Sequence, residues 1–446
     1  MHPPPPACGS PQLATPAPGA RKALALLLAI NLFNYIDRYV LAAVLPKIGA
    51  EMLTDDPRSE EKLGWLATAF LLSYMLASPI FGWLADRFSR WMLVGIGVIV
   101  WSIASGESGR AELYIVLLIT RMFVGIGEAA YGPAAPTLIS DFYPLAVRGR
   151  VMAWFYMAIP VGSALGYALG GLMAQYGHWR WAFYAVVPPG ILLGILCFFM
   201  PRPAMPIGGS SAGTRRAKLR DYLALLRNRS YVYNCLGMAA LTFAIGGISH
   251  WMPTYVSSFR GAGPIGQVNM IFGAITVVTG IVGTLLGGIV GDRLRTRVPG
   301  AYFVVSGAGL LICFPFFVAM LVVPFPYAWI CIFIAEFFLF FNTGPSNTAL
   351  ANVTHPSVRA SAFALNILFI HALGDAISPP IIGRLTDQFD RNMNIGFGLV
   401  GAMMLMGGLI WLLGARHLDA DTARASTAEP QVAGGDDEAG AASSRA

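Results

Sequence analysis

The chain has 446 residues, of which 56% are hydrophobic and only 12% charged; soluble globular proteins carry about 25% charged residues. Together with a mean hydropathy of +0.62, this excludes a soluble protein and makes lipid the solvent for most of the chain. The net charge of +7 does not mark a nucleic-acid binder, because the cations stand between apolar runs rather than on one folded face.

The N-terminal stretch, residues 1–20, is rich in Pro and Ala. It lacks a basic region followed by an apolar one, so it reads as a disordered tail rather than a signal peptide. A bilayer core is about 30 Å thick and takes roughly 20 apolar residues to cross as a helix. Six such runs follow, at 22–45, 63–85, 91–109, 112–138, 150–172 and 181–200. None alternates with period two, so each is a helix rather than a barrel strand.

Two of these runs carry charge. The first contains Asn31, Asn34, Asp37 and Arg38, and the fourth contains Arg121 and Glu128. A charged side chain at the bilayer centre costs about 2.5–3.5 kcal/mol on insertion scales, so each is a functional candidate. Arg121 and Glu128 are two helical turns apart, on one face and about 10 Å from each other. The four groups can neutralise one another as a structural ion-pair set, or a cation can bind substrate while a carboxylate titrates. In the fifth run Gly162, Gly166, Gly170 and Gly171 are spaced for close helix packing.

Residues 201–230 break the apolar pattern with Pro, Gly, Ser and seven arginines and lysines, and read as a linker between two halves. Six more runs lie at 231–257, 267–290, 300–322, 327–350, 360–383 and 394–414. Within them Glu336, Asn342, Asn347, Asn366, His371 and Asp375 are polar. Residues 416–446 are rich in Ala, Gly, Ser and acids, a composition expected of a disordered tail. The domains expected are therefore 1–20, 21–200, 201–230, 231–415 and 416–446. Two-thirds of the 30 Lys and Arg residues fall on the side bearing both termini and the linker, which makes that side cytoplasmic.

Cys197, Cys235, Cys313 and Cys331 lie singly inside apolar runs, without metal spacing, and read as small buried residues. Neither the cysteines nor the histidines call for a metal, and no cofactor is expected. A nucleophile–base set and the G-x-x-x-x-G-K-[ST] phosphate loop are both missing from the sequence, so neither an enzyme nor direct ATP use is expected.

The halves echo each other. Gly82-Trp83-Leu84-Ala85-Asp86-Arg87-Phe88-Ser89-Arg90 after the second run matches Gly288-Ile289-Val290-Gly291-Asp292-Arg293-Leu294-Arg295 after the eighth. Tyr143-Pro144 with Arg148-Gly149-Arg150 likewise matches His355-Pro356 with Arg359. Parallel six-helix repeats of this kind occur in secondary transporters.

The first loop resembles the G-x-L-x-D-R-x-G-R element of the major facilitator superfamily, with Ser89 in place of a glycine. The resemblance implies an all-α integral membrane fold of 12 transmembrane helices in two six-helix bundles. It also implies gating by Asp86, Arg87, Arg148, Asp292 and Arg293, with Asp86 near a helix start or an arginine such as Arg148. Asn34-Tyr35-Ile36-Asp37-Arg38-Tyr39, Gly125 to Tyr131, Pro136 to Asp141 and Pro160 to Tyr167 resemble the Spinster branch. Trp251-Met252-Pro253-Thr254 and Ser378 to Gly383 do so more loosely.

That likeness implies a lysolipid- or sphingolipid-like cargo moved by a monomer through alternating access; a buried carboxylate that titrates between states would couple it to protons, and the positive-inside bias without a targeting peptide points to a cell inner membrane. Arg38 would meet the anionic head group through its planar fork, with Asn34, Tyr35, Tyr131 and Glu336 in the substrate-contacting set. Glu128 would be the proton-responsive carboxylate, Asp37 its helper, and Arg121 the cation that holds Glu128 ionised in one state. The alternative is a carrier of a small organic anion or sugar acid that reuses Arg38 and Arg121. The glycines of the fifth run also resemble an antiporter motif, with Tyr167 where that motif has proline.

Overall fold

The computed structural model describes residues 15–85, 87–201, 225–355 and 358–427. Twelve of its helices are long and apolar enough to cross a membrane. In chain order these are α1 Ala20–Met52, α2 Ser59–Ala85, α3 Arg90–Arg110, α4 Tyr114–Phe142, α5 Val147–Tyr176 and α6 Trp179–Cys197. The second half supplies α7 Arg229–Phe259, α8 Ile265–Leu294, α9 Ala301–Val322, α10 Ala328–Asn352, α11 Ser361–Gln388 and α12 Met393–Ala425.

Within the first half α1 packs on α5, α3 on α6, and α4 against both α2 and α3. The second half repeats this, with α7 on α11, α9 on α12 and α10 against α8 and α9. The repeat extends to side chains at the ends of α4 and α10. Arg148 donates to the carbonyls of Ser140 (2.8 Å) and Tyr143, and Arg359 donates to that of Thr354. Each arginine covers carbonyls that a helix C-terminus leaves unpaired.

Several helices outrun the apolar stretches that announce them. α1 continues through Pro46 to Met52, seven residues past its expected end at 45. α12 runs to Ala425 although residues 416–446 read as a disordered tail. Side chains pin that extension: Asp421 accepts from the amide and hydroxyl of Ser230, and Asp419 accepts from the Gly300 amide at 3.0 Å. Polar contacts of this kind are invisible to a hydropathy reading.

The two halves meet along two seams, α2 against α11 and α5 against α8. Both seams lie toward the side opposite the termini. At the first, backbones touch: a Cβ on Gly64 would sit 2.5 Å from the Pro379 carbonyl group, and one on Gly383 would sit 2.2 Å from the Glu60 oxygen. Thr68 donates to Ala376 O at 2.6 Å. The Asp387 carboxylate accepts from the Glu60 and Glu61 amides at 3.2 and 2.8 Å, and Arg391 pairs with Glu60 at 2.6 Å. Asp387 thus places a negative charge on the N-terminus of α2, where the helix dipole favours it. In the loop just before α2, Lys62 and the Arg58 amide hold the Asp56 carboxyl below its ordinary range.

At the second seam Gly273 of α8 meets Ala164 O of α5, and beside it Asn269 of α8 donates to Ala43 O of α1. Among the described residues the hydrogen bonds, ion pairs and glycine contacts between the halves all fall on the side opposite the termini or midway along the helices, and none lies toward the termini. The halves are therefore closed on one side and parted on the side of the termini.

Candidate functional site

The close approach of α1 and α5 sets the site. A Cβ on Gly162 or Gly166 would meet the backbone of Leu32 or Ile36 and the Cβ of Tyr35 or Tyr39 at 2.6–2.9 Å. The α5 glycines therefore serve packing, and Tyr35 and Tyr39, which they contact, also border the space between the halves. A cavity of about 150 Å³ lies there. The first half contributes Tyr35, Arg38, Tyr39, Phe70 and Arg121; the second contributes Ser249, His250, Asp375 and Pro379.

Four charges cross between α1 and α4. Arg38 reaches Glu128 through Nε at 2.7 Å and Nη2 at 2.6 Å. Arg121 Nη2 lies 3.6 Å from Asp37 Oδ2, and Ser105 donates to the other Asp37 oxygen. In this conformation Arg121 therefore pairs with Asp37 rather than with Glu128. Asp37 and Arg38 differ by only about 1.5 Å in rise, and Arg121 and Glu128 by about 10 Å. The long Arg121 side chain reaches toward the short Asp37, and the long Arg38 side chain reaches in the other direction.

The two pairs differ in access. Arg38 is 23% exposed while Glu128 is 1% exposed, and Arg121 and Asp37 are at 2% and 1%. The Arg38 guanidinium stands over Phe70, Tyr35 and Tyr74, with its carbon 4.8, 5.2 and 5.4 Å from the ring centroids. Three ring faces hold the cation by cation–π attraction and leave its edge toward the cavity. Arg121 lies over Phe183, and its Nε and Nη2 make no hydrogen bond.

Asn34 is buried beside these pairs and Tyr35 lines the cavity, as the sequence suggests. Tyr131 and Glu336 are placed elsewhere. Tyr131 donates to Leu27 O and packs against Trp101 and Phe155 in the core of the first half. Glu336 faces Thr276 and Thr279 of α8, away from the cavity. Of the gating candidates, Asp86 lies outside the described residues. Arg87 folds over the Trp83 ring, and Asp292 accepts from Tyr302 at 2.8 Å. Arg293 is exposed, and Arg148 is committed to carbonyls of its own half.

Two second-half residues matter more than their sequence context advertises. Asp375 faces the cavity and pairs with His371 Nδ1 at 2.9 Å across one turn. That turn is π-helical, over His371–Asp375, and breaks at Gly374; such bulges collect at functional sites. His250 lines the cavity with Nε2 3.2 Å from Leu63 O. Its place just before Trp251-Met252-Pro253 was the available signal.

Residues 27–379 match the model of the Major Facilitator Superfamily, and the chain belongs to that superfamily of membrane transporters. It is 36% identical over 434 residues to protein spinster homolog 3 of Danio rerio, covering 90% of this chain and 85% of the relative. It is 33% identical over 436 residues to a sphingosine-1-phosphate transporter of Danio rerio, with the same coverages. Its place in the superfamily is the Spinster branch. The crystal structure of a bacterial homolog to the human lysosomal transporter Spinster, inward-facing and unoccupied, superposes with a TM-score of 0.76 at 20% identity. That match covers 91% of this chain and 97% of the other. A D-xylose–proton symporter superposes at 0.72 and 17% identity, covering 87% and 96%.

Proposed function

We propose that the chain is a proton-coupled carrier of an amphiphilic, anionic lysolipid- or sphingolipid-like substrate. It works by alternating access as a monomer in a cell inner membrane, with both termini cytoplasmic, and it is not an enzyme. The observation that carries this reading is the Arg38–Glu128 pair, whose cation reaches the cavity while its carboxylate does not. A phosphate-like head group can take the Arg38 fork in paired hydrogen bonds. Glu128 would then be a buried carboxylate without its counter-ion, a costly arrangement that uptake of a proton relieves. Anion and proton binding are then linked, each favouring the other.

Asp37 and Arg121 supply the neighbouring charges that make the Glu128 region sensitive to this exchange. Asn34 and Tyr35 shape the head-group site, and the rings of Phe70 and Tyr74 begin an apolar wall toward the parted side. With the positive-inside bias, that parted side is cytoplasmic and the conformation is inward-facing. Asp86, Arg87, Arg148, Asp292 and Arg293 would re-pair when this side closes. The sphingosine-1-phosphate transporter among the relatives supports a lipid phosphate as cargo.

The compact volume of the cavity favours a second reading, a small organic anion or sugar acid held by Arg38 and Arg121. Thermal unfolding of purified protein with a panel of lysophospholipids and small organic anions separates the two, since a ligand bound to the folded state raises Tm. The lipid reading expects one lysolipid class to stabilise the wild type and to lose its effect in Arg38→Ala. Stabilisation by small anions alone puts the second reading first. In proteoliposomes Glu128→Gln should abolish the pH dependence of transport; a variant that keeps it removes Glu128 from the coupling step.

A further inference from the structure

Glu336, on α10, is a buried acid that the proposed cycle leaves unused. Its carboxyl oxygens lie 3.2 and 3.3 Å from Thr276 Oγ1 and 3.4 Å from Thr279 Oγ1. Each threonine hydroxyl has a single hydrogen, and each has a nearer acceptor. Thr276 lies 3.0 Å from Phe272 O, and Thr279 lies 2.8 Å from Ile275 O. These are the usual bonds of a helical threonine to the carbonyl one turn back. With those hydrogens committed, both hydroxyls present lone pairs to Glu336, and a carboxylate there would face only acceptors.

The other titratable side chains that face Glu336 offer nothing better. Tyr167 of α5 donates to Ser249 O at 2.6 Å, and Cys313 of α9 donates to Ala335 O at 3.2 Å. Among the described residues no ion pair includes Glu336. We infer that Glu336 is a second proton-binding site, in the C-terminal half, occupied in this conformation by a proton that the carboxyl donates to the Thr276 hydroxyl. A sodium ion would also suit a set of acceptors, but the two carboxyl and two hydroxyl oxygens here fall short of the six or so a hard cation gathers. The α8 segment that holds the threonines lies between Gly273 and Gly280, which meet Ala164 and Pro160 of α5 across the seam. Loss of this proton would leave an uncompensated charge against the helix that forms one of the two main seams between the halves.

Infrared difference spectroscopy of the purified protein in H₂O and D₂O tests this without any substrate, so its outcome is independent of what the chain carries. The wild type should show a protonated-carboxyl C=O band that shifts on deuteration and is lost in Glu336→Gln. The glutamine amide can donate to the same hydroxyl, so the variant should keep the wild-type Tm. A band unchanged in Glu336→Gln, with the variant folded, means that Glu336 is ionised and overturns the proposal. A Tm that rises with NaCl but not with choline chloride, in the wild type and not in Glu336→Gln, replaces the proton with a cation.

Discussion

The two halves share one helical plan and spend their buried polarity differently. The first half places four charges between α1 and the Tyr114–Tyr131 segment of α4 and cancels them pairwise. The second half has one acid among hydroxyls, Glu336, and one on a broken turn of α11, Asp375, which lies where the backbone departs from α-helical geometry. The contrast teaches that a repeated fold need not repeat its chemistry. The first half holds two buried ion pairs, and the second holds an acid among hydroxyls, a His371–Asp375 pair and the π-helical turn of α11.

The largest effect that separates the halves is on stability. Arg121→Ala leaves Asp37 buried with no cation, and breaking a buried pair in this way costs about 3–5 kcal/mol. Glu336→Gln should stay within about 1 kcal/mol, because it replaces one hydrogen-bonding group with another. Denaturant unfolding in detergent measures both, and Asp37→Asn added to Arg121→Ala should restore much of the loss. Equal losses from Arg121→Ala and Glu336→Gln would erase the distinction drawn between the halves.

An intermediate effect is expected at the seam itself. Gly64→Ala drives a Cβ into the Pro379 backbone, and overpacking of this kind costs about 1–3 kcal/mol. Only the closed seam suffers, so the equilibrium moves toward opening on the side opposite the termini. A cysteine placed at Ser249 on the cavity wall should then react with an impermeant thiol reagent from that side about tenfold faster or more. An unchanged rate would mean that α2 and α11 part without relieving this contact.

The smallest effect is that of Asp387→Asn, which removes the charge of the cap on α2 and, because an amide nitrogen cannot accept, keeps only one of its two hydrogen bonds. A charged hydrogen bond contributes about 1.5–3 kcal/mol against about 1 for a neutral one. The same labelling assay should therefore rise only about fivefold. A change larger than that of Gly64→Ala would make charge, rather than backbone contact, the main closure of the seam.

The fold was largely legible because crossing a bilayer imposes length and apolarity on every helix. Helix ends were not, since Asp419 and Asp421 fix the end of α12 through contacts with other helices. Arg38, Asp37, Arg121 and Glu128 stood out as charges in apolar runs, and the structure gathers them. Their pairing was hidden, because spacing along α4 does not reveal how far an arginine of α1 or α4 reaches across to the other helix. Glu336 stood out for the same reason, but its direction depends on the rotation of α10 about its axis, which one sequence does not encode visibly. Tyr131 lay in a motif run, yet it faces the core.

The crossed pairs of the first half also have an electrical consequence. Two arginines and two carboxylates sum to zero, so with neither cargo nor proton aboard this quartet presents no net charge to the membrane field. A field of 100 mV acts on each elementary charge moved across it with about 2.3 kcal/mol; on a cancelled quartet it does no net work. With a proton on Glu128 and a singly charged head group on Arg38 the sum is again zero. A doubly charged phosphate would leave one negative charge, and with it a step of the cycle whose rate follows the voltage.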